Sequence, residues 1–168
     1  MPELKLQLFG FPQFAYQGQP VEGVRRKALA LAAYLALAER PRPRELLAGL
    51  LWSDQDEEHA RAALRAVLHN LTTFAPVAWL EVERHTVSLK ADAVDIDVRQ
   101  FLAALDRTRA HLHTDGKLCP SCCDALGEAV KLFGAPFLGR FNLPDSSEFD
   151  LWQSTQREWL SRECITAL

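Results

Sequence analysis

The sequence predicts an α+β fold in two parts: strands, three helices and a β-hairpin in residues 1–92, followed by an all-α segment in residues 93–168. Residues 4–9, LKLQLF, alternate apolar and polar side chains as a half-buried strand does. The apolar residues then recur at the helical period, and alternation returns only in residues 77–89. After residue 97 no strand pattern follows, which predicts helices to the end of the chain.

Composition limits the class of protein. Hydrophobic residues make up 48% of the 168 residues, enough for a packed core. The start, Met1-Pro2-Glu3, lacks the basic region of a signal peptide, and the longest apolar run, residues 28–38, is too short to cross a bilayer. We therefore expect a soluble, cytoplasmic protein without a membrane partner.

The net charge of −3 is unevenly distributed along the chain. Residues 1–90 carry 11 Lys and Arg against 10 Asp and Glu, whereas residues 91–168 carry 8 against 12. Because phosphate binding depends on a local basic face and not on the total charge, the first part of the chain is compatible with a nucleic-acid partner.

The N-terminal elements begin with short strand patterns and Gly-Gln-Pro turn chemistry in residues 4–21, which predict a small antiparallel sheet. KALALAAYLALAER, from Lys27, predicts a central helix because it is apolar on most sides and rich in strong helix formers. Pro41 ends that helix, and Pro43 suits the first turn of a short helix that ends near Trp52.

A third helix is predicted from SDQDEEHARAALRAVLHNLTTF, with Asp54 and Glu57 forming a capping box. Its apolar residues recur at the spacing of one helical face. The other face carries Arg61, Arg65 and His69. That face is either a solvated surface or a surface that contacts a partner.

A β-hairpin is predicted next, from VAWLEVERHTVSLK, with Arg84 and His85 near its tip. Strands, three helices and a hairpin are the element order of a winged helix-turn-helix. In that arrangement the third helix enters the major groove, and the hairpin touches the DNA backbone or the minor groove. Arg42 and Arg44, at the start of the second helix, would then contact phosphates.

The helical segment begins with Asp97 and Gln100, a second capping-box pattern. The alternate carboxylates that precede it indicate a cap and a solvated linker. Pro120 fits the first turn of a helix in CPSCCDALGEAVKLF, and Asp145 or Ser146 is expected to cap the last helix.

The last helix carries Phe149, Trp152 and Trp159 along one stripe, which predicts that they are core residues. It reaches Leu168 without a cap signal, so we expect the chain to be cut within a longer protein.

Histidines and cysteines cluster in HLHTDGKLCPSCC, which suggests a structural zinc site of His111, His113, Cys119 and Cys122. Zn²⁺ favours four nitrogen and sulfur ligands, and C-x-x-C at a helix start is a common half-site. The alternative is a loop with surface histidines and with cysteines buried as small hydrophobic side chains. A disulfide framework is not favoured in a chain without a secretory signal.

Catalysis is not predicted. The sequence contains no G-x-S-x-G, Walker A, G-x-G-x-x-G or H-E-x-x-H motif. It also places no nucleophile beside a plausible base, so we do not expect an enzyme.

The segment from LQLFGFPQFAYQGQPVEGVRRKALAL to ARAALRAVLHNL resembles the DNA-binding domain of the Streptomyces antibiotic regulatory protein (SARP) type. That resemblance implies an OmpR/PhoB-like winged helix. VDIDVRQFLAAL and FLGRFNLPDSSEFDLWQSTQREWL resemble the start of the bacterial transcriptional activation domain that follows it in such regulators. The second part, residues 93–168, would then be a module of tetratricopeptide (TPR)-like helices.

The same resemblance implies the residues that contact DNA. At the matching positions, the third helix would place Arg61, Arg65, His69 and Thr72 in the major groove, and Arg84 would belong to the wing. The family's third helix has more arginines near its end, where this chain has HNLTTF, so fewer phosphate contacts and weaker binding are expected.

The predicted function is therefore a sequence-specific, double-stranded DNA-binding transcriptional regulator, an activator by resemblance. The resemblance also implies contacts with the transcription machinery or other regulator domains, and a homodimer on DNA. The alternative is a protein-protein interaction scaffold that does not bind DNA. The basic run Arg25, Arg26 and Lys27 is either a phosphate clamp or a solvated lead-in to the central helix, with some members packed against acidic neighbours.

Overall fold

The computed structural model describes residues 2–168. The strands in that range are β1 (Leu4–Gln7), β2 (Gln13–Tyr16), β3 (Gln19–Pro20), β4 (Arg42–Pro43), β5 (Leu80–Val82), β6 (Thr86–Leu89) and β7 (Val94–Ile96). The helices are α1 (Arg26–Leu37), α2 (Arg44–Leu51), α3 (Glu57–Thr73), α4 (Asp97–Ala110), α5 (Pro120–Leu132) and α6 (Ser147–Ala167), with one 3₁₀ turn at Thr114–Gly116. The expected order of strands, three helices and a hairpin is confirmed. The short strands β4 and β7 were not predicted.

The first sheet has the strand order β3-β2-β1-β7. β1 and β2 are antiparallel, with Leu6 opposite Phe14, and β7 runs parallel to β1, with Leu6 opposite Ile96. The expectation of a solvated linker before α4 is therefore wrong. Val94 and Ile96 are buried, and this apolar pair adds a strand to the N-terminal sheet.

Asp97 is the first residue of α4 and not its cap, so the second capping-box prediction is also wrong. Its carboxylate accepts hydrogen bonds from the backbone N–H groups of Leu8, at 2.9 and 3.0 Å, and Phe9, at 3.0 Å. Gln100 donates to Asp95 instead. Burial raises the pKa of Asp97, while these backbone hydrogen bonds oppose the shift. The carboxylate ties the end of β1 to the start of α4.

The second sheet has the order β4-β6-β5 and contains the predicted hairpin. β5 and β6 pair with Val82 opposite Val87, and β4 adds Arg42 opposite Val87 on the other side of β6. The indole N–H of Trp79 donates to the carbonyl oxygen of Leu71 at 3.0 Å, and its ring packs against Phe14. The base of the hairpin is therefore fixed to both α3 and the first sheet.

The core is continuous between the two parts of the chain. α1 supplies eight buried residues, as its apolar composition predicts. α6 buries Phe149, Gln153, Leu160 and Cys164. Trp152 packs at the edge of this core, whereas Trp159 is 37% exposed, so the core prediction for Trp159 is wrong. The buried face of α6 instead passes through Leu160 and through Gln153, whose side-chain N–H donates to the carbonyl oxygens of Leu138 and Phe141 in the preceding loop.

The two parts meet at Lys27 and Ser146. The ammonium of Lys27 donates to the Ser146 hydroxyl at 2.6 Å and to the Leu51 carbonyl, and it forms an ion pair with Asp145 at 3.1 Å. Ser146 occupies the N-cap position of α6, but its buried hydroxyl donates to the Leu51 carbonyl and makes no side-chain cap bond. The expected capping by Asp145 or Ser146 is thus replaced by contacts with the N-terminal part.

Candidate nucleic-acid interface and histidine-cysteine cluster

α3 is amphipathic: one face packs into the core, and the opposite face is polar and exposed. Its first turn is capped by Asp56, whose carboxylate accepts from the backbone N–H of His59 at 2.9 Å, so the cap predicted at Asp54 is wrong by two residues. The buried side chains are Ala60, Leu64, Val67, Leu68 and Leu71. The three- and four-residue spacing of Arg61, Arg65, His69 and Thr72 places these four on one exposed face.

A cleft of about 320 Å³ separates this face of α3 from the tip of the hairpin. We call it the arginine cleft, and it is lined by Arg44, Glu45, Arg61, Leu64, Arg65, Arg84 and His85. Four arginines and one glutamate give it a positive charge, although the whole chain is acidic. Five of the eight residues predicted to contact DNA therefore come together from three elements that are separate in sequence.

The arginines of the cleft differ in their ion pairs. Arg61 lies 3.3 Å from a carboxylate oxygen of Glu45 and 3.5 Å from one of Glu57, with its side chain 55% exposed. Exposed pairs of this kind are weak and exchange readily with other anions. Arg65 and Arg84 are exposed and form no ion pair with any residue in 2–168. At least two guanidinium groups are thus directly available to an anionic partner.

The tip of the hairpin is held in position by α2. The backbone N–H of Arg44 donates to the His85 carbonyl at 2.8 Å, and its guanidinium donates to the Glu83 carbonyl at 3.3 Å. Arg84, between these two anchors, therefore projects from a fixed loop. Sequence reasoning placed Arg44 near phosphates but missed its role as a support for the hairpin, because the β4 pairing has only a two-residue signal.

The other predicted contact residues lie outside the cleft lining. His69 and Thr72 are exposed on the same face of α3, and the Thr72 hydroxyl donates to the backbone carbonyl of Leu68 at 3.0 Å. Arg42 is half-buried, with its guanidinium 5.8 Å from the ring centroid of Tyr34 and its Nε buried without a hydrogen-bond partner in residues 2–168. Arg42 therefore packs against α1.

The basic run before α1 is not a uniform surface. Lys27 is engaged with Leu51 and α6, as described above, and Arg26 lies over the ring of Phe141 at 5.3 Å. Lys27 forms an ion pair with Asp145, whereas no ion pair of Arg25 or Arg26 is found within residues 2–168, so packing against an acidic neighbour is seen for the lysine and not for the arginines. Arg25 and Arg26 are both exposed, whereas Lys27 is half-buried.

A separate cluster lies where α4 connects to α5. One possible ligand atom from each of His111, His113, Cys119 and Cys122 lies within 4.8 Å of the others, so these residues could hold a metal ion. Nδ1 of His111 is 3.2 Å from the sulfur of Cys122 and 3.3 Å from that of Cys119. All four cysteines of the chain are free thiols.

The two thiols of the cluster have different environments. Cys119 is the N-cap residue of α5, and hydrogen bonding from the backbone N–H of Cys122 lowers its pKa. Burial raises the pKa of Cys122. The helix N-terminus therefore favours the thiolate form at Cys119, as expected for a cysteine at this position.

The chain matches no protein-family model, and no curated protein matches it in sequence. Among solved structures, its fold is similar to that of EmbR of Mycobacterium tuberculosis, solved in complex with a low affinity phosphopeptide. The TM-score is 0.71 at 20% identity over 99% of this chain, which spans 44% of the length of EmbR. The class of fold is therefore α+β, with small sheets and six helices in residues 2–168, and it is similar to the part of EmbR that the chain covers.

No helix among the described residues combines the length and the apolar character required to cross a membrane.

Proposed function

We propose that the chain is a DNA-binding transcriptional regulator of the SARP type, with α3 in the major groove and the β5–β6 hairpin as the wing. The observation that carries the proposal is the convergence of Arg61 and Arg65 of α3 with Arg84 of the hairpin on one cleft. A duplex seated there would meet α3 through its base edges and the hairpin through its backbone or minor groove. The resemblance of the sequence to that family supports the same orientation.

The charges support DNA over a neutral partner. Arginine binds guanine edges in bidentate fashion and also pairs with phosphates, so a single residue type can serve both kinds of contact. Arg65 and Arg84 need no ion pair to be broken. Arg61 would exchange Glu45 and Glu57 for phosphate or base oxygens, and the released glutamates reduce the net gain. Because few phosphate contacts are expected, binding should be of moderate strength and only modestly dependent on salt.

The helical part, α4 to α6, would act as the module that contacts the transcription machinery or other regulator domains, in keeping with a TPR-like bacterial transcriptional activation domain. The contact of Lys27 with Ser146 and Asp145 supports a fixed orientation of that module relative to α1. Action as an activator, a homodimer on DNA and a cytoplasmic location belong to the same proposal.

The test is a double substitution, Arg61→Ala with Arg65→Ala. We expect binding to a random-sequence duplex to weaken roughly tenfold or more, and the slope of log K against log salt to fall by about 2. The matched control is Arg107→Ala with Arg162→Ala, which removes two exposed arginines from α4 and α6. Equal loss in both double variants would mean that only total charge matters.

A second candidate is a protein-binding module without DNA binding. The cleft has the concave shape and the arginines that bind phosphorylated side chains, and EmbR was solved with a phosphopeptide. Fragments of the source genome selected on the purified chain would separate the two. Enrichment of one sequence motif, lost in the Arg61/Arg65 variant, supports the regulator, and an absence of enrichment supports the protein-binding module.

A further inference from the structure

We propose that His111, His113, Cys119 and Cys122 form a closed, tetrahedral zinc site that fixes the connection between α4 and α5. This site is independent of DNA binding. In a tetrahedron with zinc–sulfur and zinc–nitrogen bonds of ordinary length, the ligand atoms lie roughly 3.3–3.8 Å apart. The corresponding atoms here all lie within 4.8 Å of one another, so shifts of about an ångström or less would complete the site.

The orientation of the donor atoms supports a common centre. Nδ1 of His111 faces two sulfur atoms at once, at 3.2 and 3.3 Å. One imidazole nitrogen has a single proton or lone pair and cannot satisfy both thiols, whereas all three atoms can bind the same cation. The rings of His111 and His113 lie 4.8 Å apart, which brings the second imidazole to the same place.

An unpaired atom gives an independent indication. Nε2 of His113 is buried and has no hydrogen-bond partner in residues 2–168. A buried polar atom without a partner destabilises a fold unless another group satisfies it. Metal-binding histidines use one ring nitrogen for the metal and usually pair the other. A metal ion bound by the cluster would supply the polar interaction that the described protein atoms do not give to His113.

Apart from one 3₁₀ turn, the loop has little that would order it. From residue 111 to residue 119 no side chain is fully buried, and Leu112 is 93% exposed. A nine-residue connection without apolar burial has little to offset the conformational entropy lost on ordering. Four ligands that span both ends of the loop supply that constraint, and with four protein ligands no position is open for catalysis.

The chain offers matched controls. Cys123 follows Cys122 directly but is exposed and outside the group, and Cys164 is buried in α6. Protein expressed with zinc and purified without chelator should contain one zinc ion per chain by elemental analysis. His111→Ala and Cys122→Ser should lose the metal, whereas Cys123→Ser and Cys164→Ser should retain it.

Reconstitution with Co²⁺ reports the ligands directly. We expect the visible bands of tetrahedral cobalt together with sulfur-to-cobalt charge transfer in the wild type, and their loss in His111→Ala. Because His111 is exposed, that variant should keep its far-UV circular dichroism, which separates loss of metal from unfolding. Zinc-free wild-type protein, a disulfide between Cys119 and Cys122 by mass spectrometry, or equal metal loss in Cys123→Ser would overturn the proposal.

Discussion

Two groups of basic residues in this chain have different surroundings. The run Arg25 to Lys27 is the densest positive segment of the sequence, yet Lys27 is occupied by a carbonyl, a hydroxyl and a carboxylate from other elements. The arginines at positions 44, 61, 65 and 84 are scattered, yet they line one cleft. The density of charge along a sequence therefore does not locate an anion-binding surface. Convergence in space does.

The difference follows from where each group sits on its helix. Lys27 lies in the first turn of α1, whose residues are buried on most sides, so its side chain reaches polar atoms of the protein before it reaches solvent. Arg61 and Arg65 lie opposite the buried face of an amphipathic helix. Both side chains are exposed; Arg65 forms no ion pair with any residue in 2–168, and the ion pairs of Arg61 with Glu45 and Glu57 are at the surface.

The largest effect is expected at Lys27. Lys27→Met keeps the apolar stem but leaves the Leu51 carbonyl and the Ser146 hydroxyl without the ammonium. The free energy of unfolding should fall by about 2 kcal/mol, which lowers Tm by roughly 4–8 °C. DNA affinity per folded molecule should not change. The matched control is Arg25→Met in the same run, and equal Tm values for the two variants would contradict a structural role for Lys27.

A smaller effect is expected at the tip of the hairpin. Arg84→Ala should reduce affinity for a random-sequence duplex roughly three- to tenfold and lower the salt slope by about 0.9, because one phosphate contact is lost. Tm should stay unchanged, since Arg84 is exposed. Thermal unfolding and a salt titration measure both quantities, with Arg162→Ala as the control. A stability loss without a change in salt slope would place Arg84 in the structure and not at the interface.

The smallest effect is expected at the cap of α3. Asp56→Ala should lower Tm by roughly 2 °C, whereas Asp54→Ala should have no effect. Hydrogen bonding from the backbone N–H of His59 lowers the pKa of Asp56. The contribution of Asp56 to the free energy of unfolding is therefore fully present above the ordinary pKa of an aspartate, and it is lost as the pH falls through the lowered pKa. Melting curves of the two variants across this range should converge with the wild type at low pH, and a difference that persists there would argue against the cap.

Part of the candidate sites could be predicted because it depends on patterns among residues that are close in sequence. The face of α3 follows from the spacing of Leu64, Leu68 and Leu71, and the hairpin with Arg84 at its tip follows from alternation on both sides. The four residues of the histidine-cysteine cluster fall within twelve positions of the sequence, so their proximity needed little tertiary information.

Other features depended on distant partners. Val94 and Ile96 were assigned to a linker because a three-residue strand has almost no periodic signal, and it forms only because β1 offers an unpaired edge. Asp97 was assigned as a cap because nothing near it in sequence shows that Leu8 and Phe9 present their N–H groups to it. Trp159 was predicted to be a core residue because its spacing along α6 fits one helical stripe, whereas the face that is buried passes through the adjacent Leu160.

The sequence by itself determined the element order, the amphipathic third helix, the hairpin and the histidine-cysteine cluster, because each depends on interactions between residues close along the chain. Only the tertiary structure decided which basic residues are available. Lys27 is separated by many residues from its partners Asp145 and Ser146, and Arg65 is likewise distant in sequence from Arg84. Only the packing of the helices and sheets brings Lys27 into contact with its partners and places both arginines on one cleft.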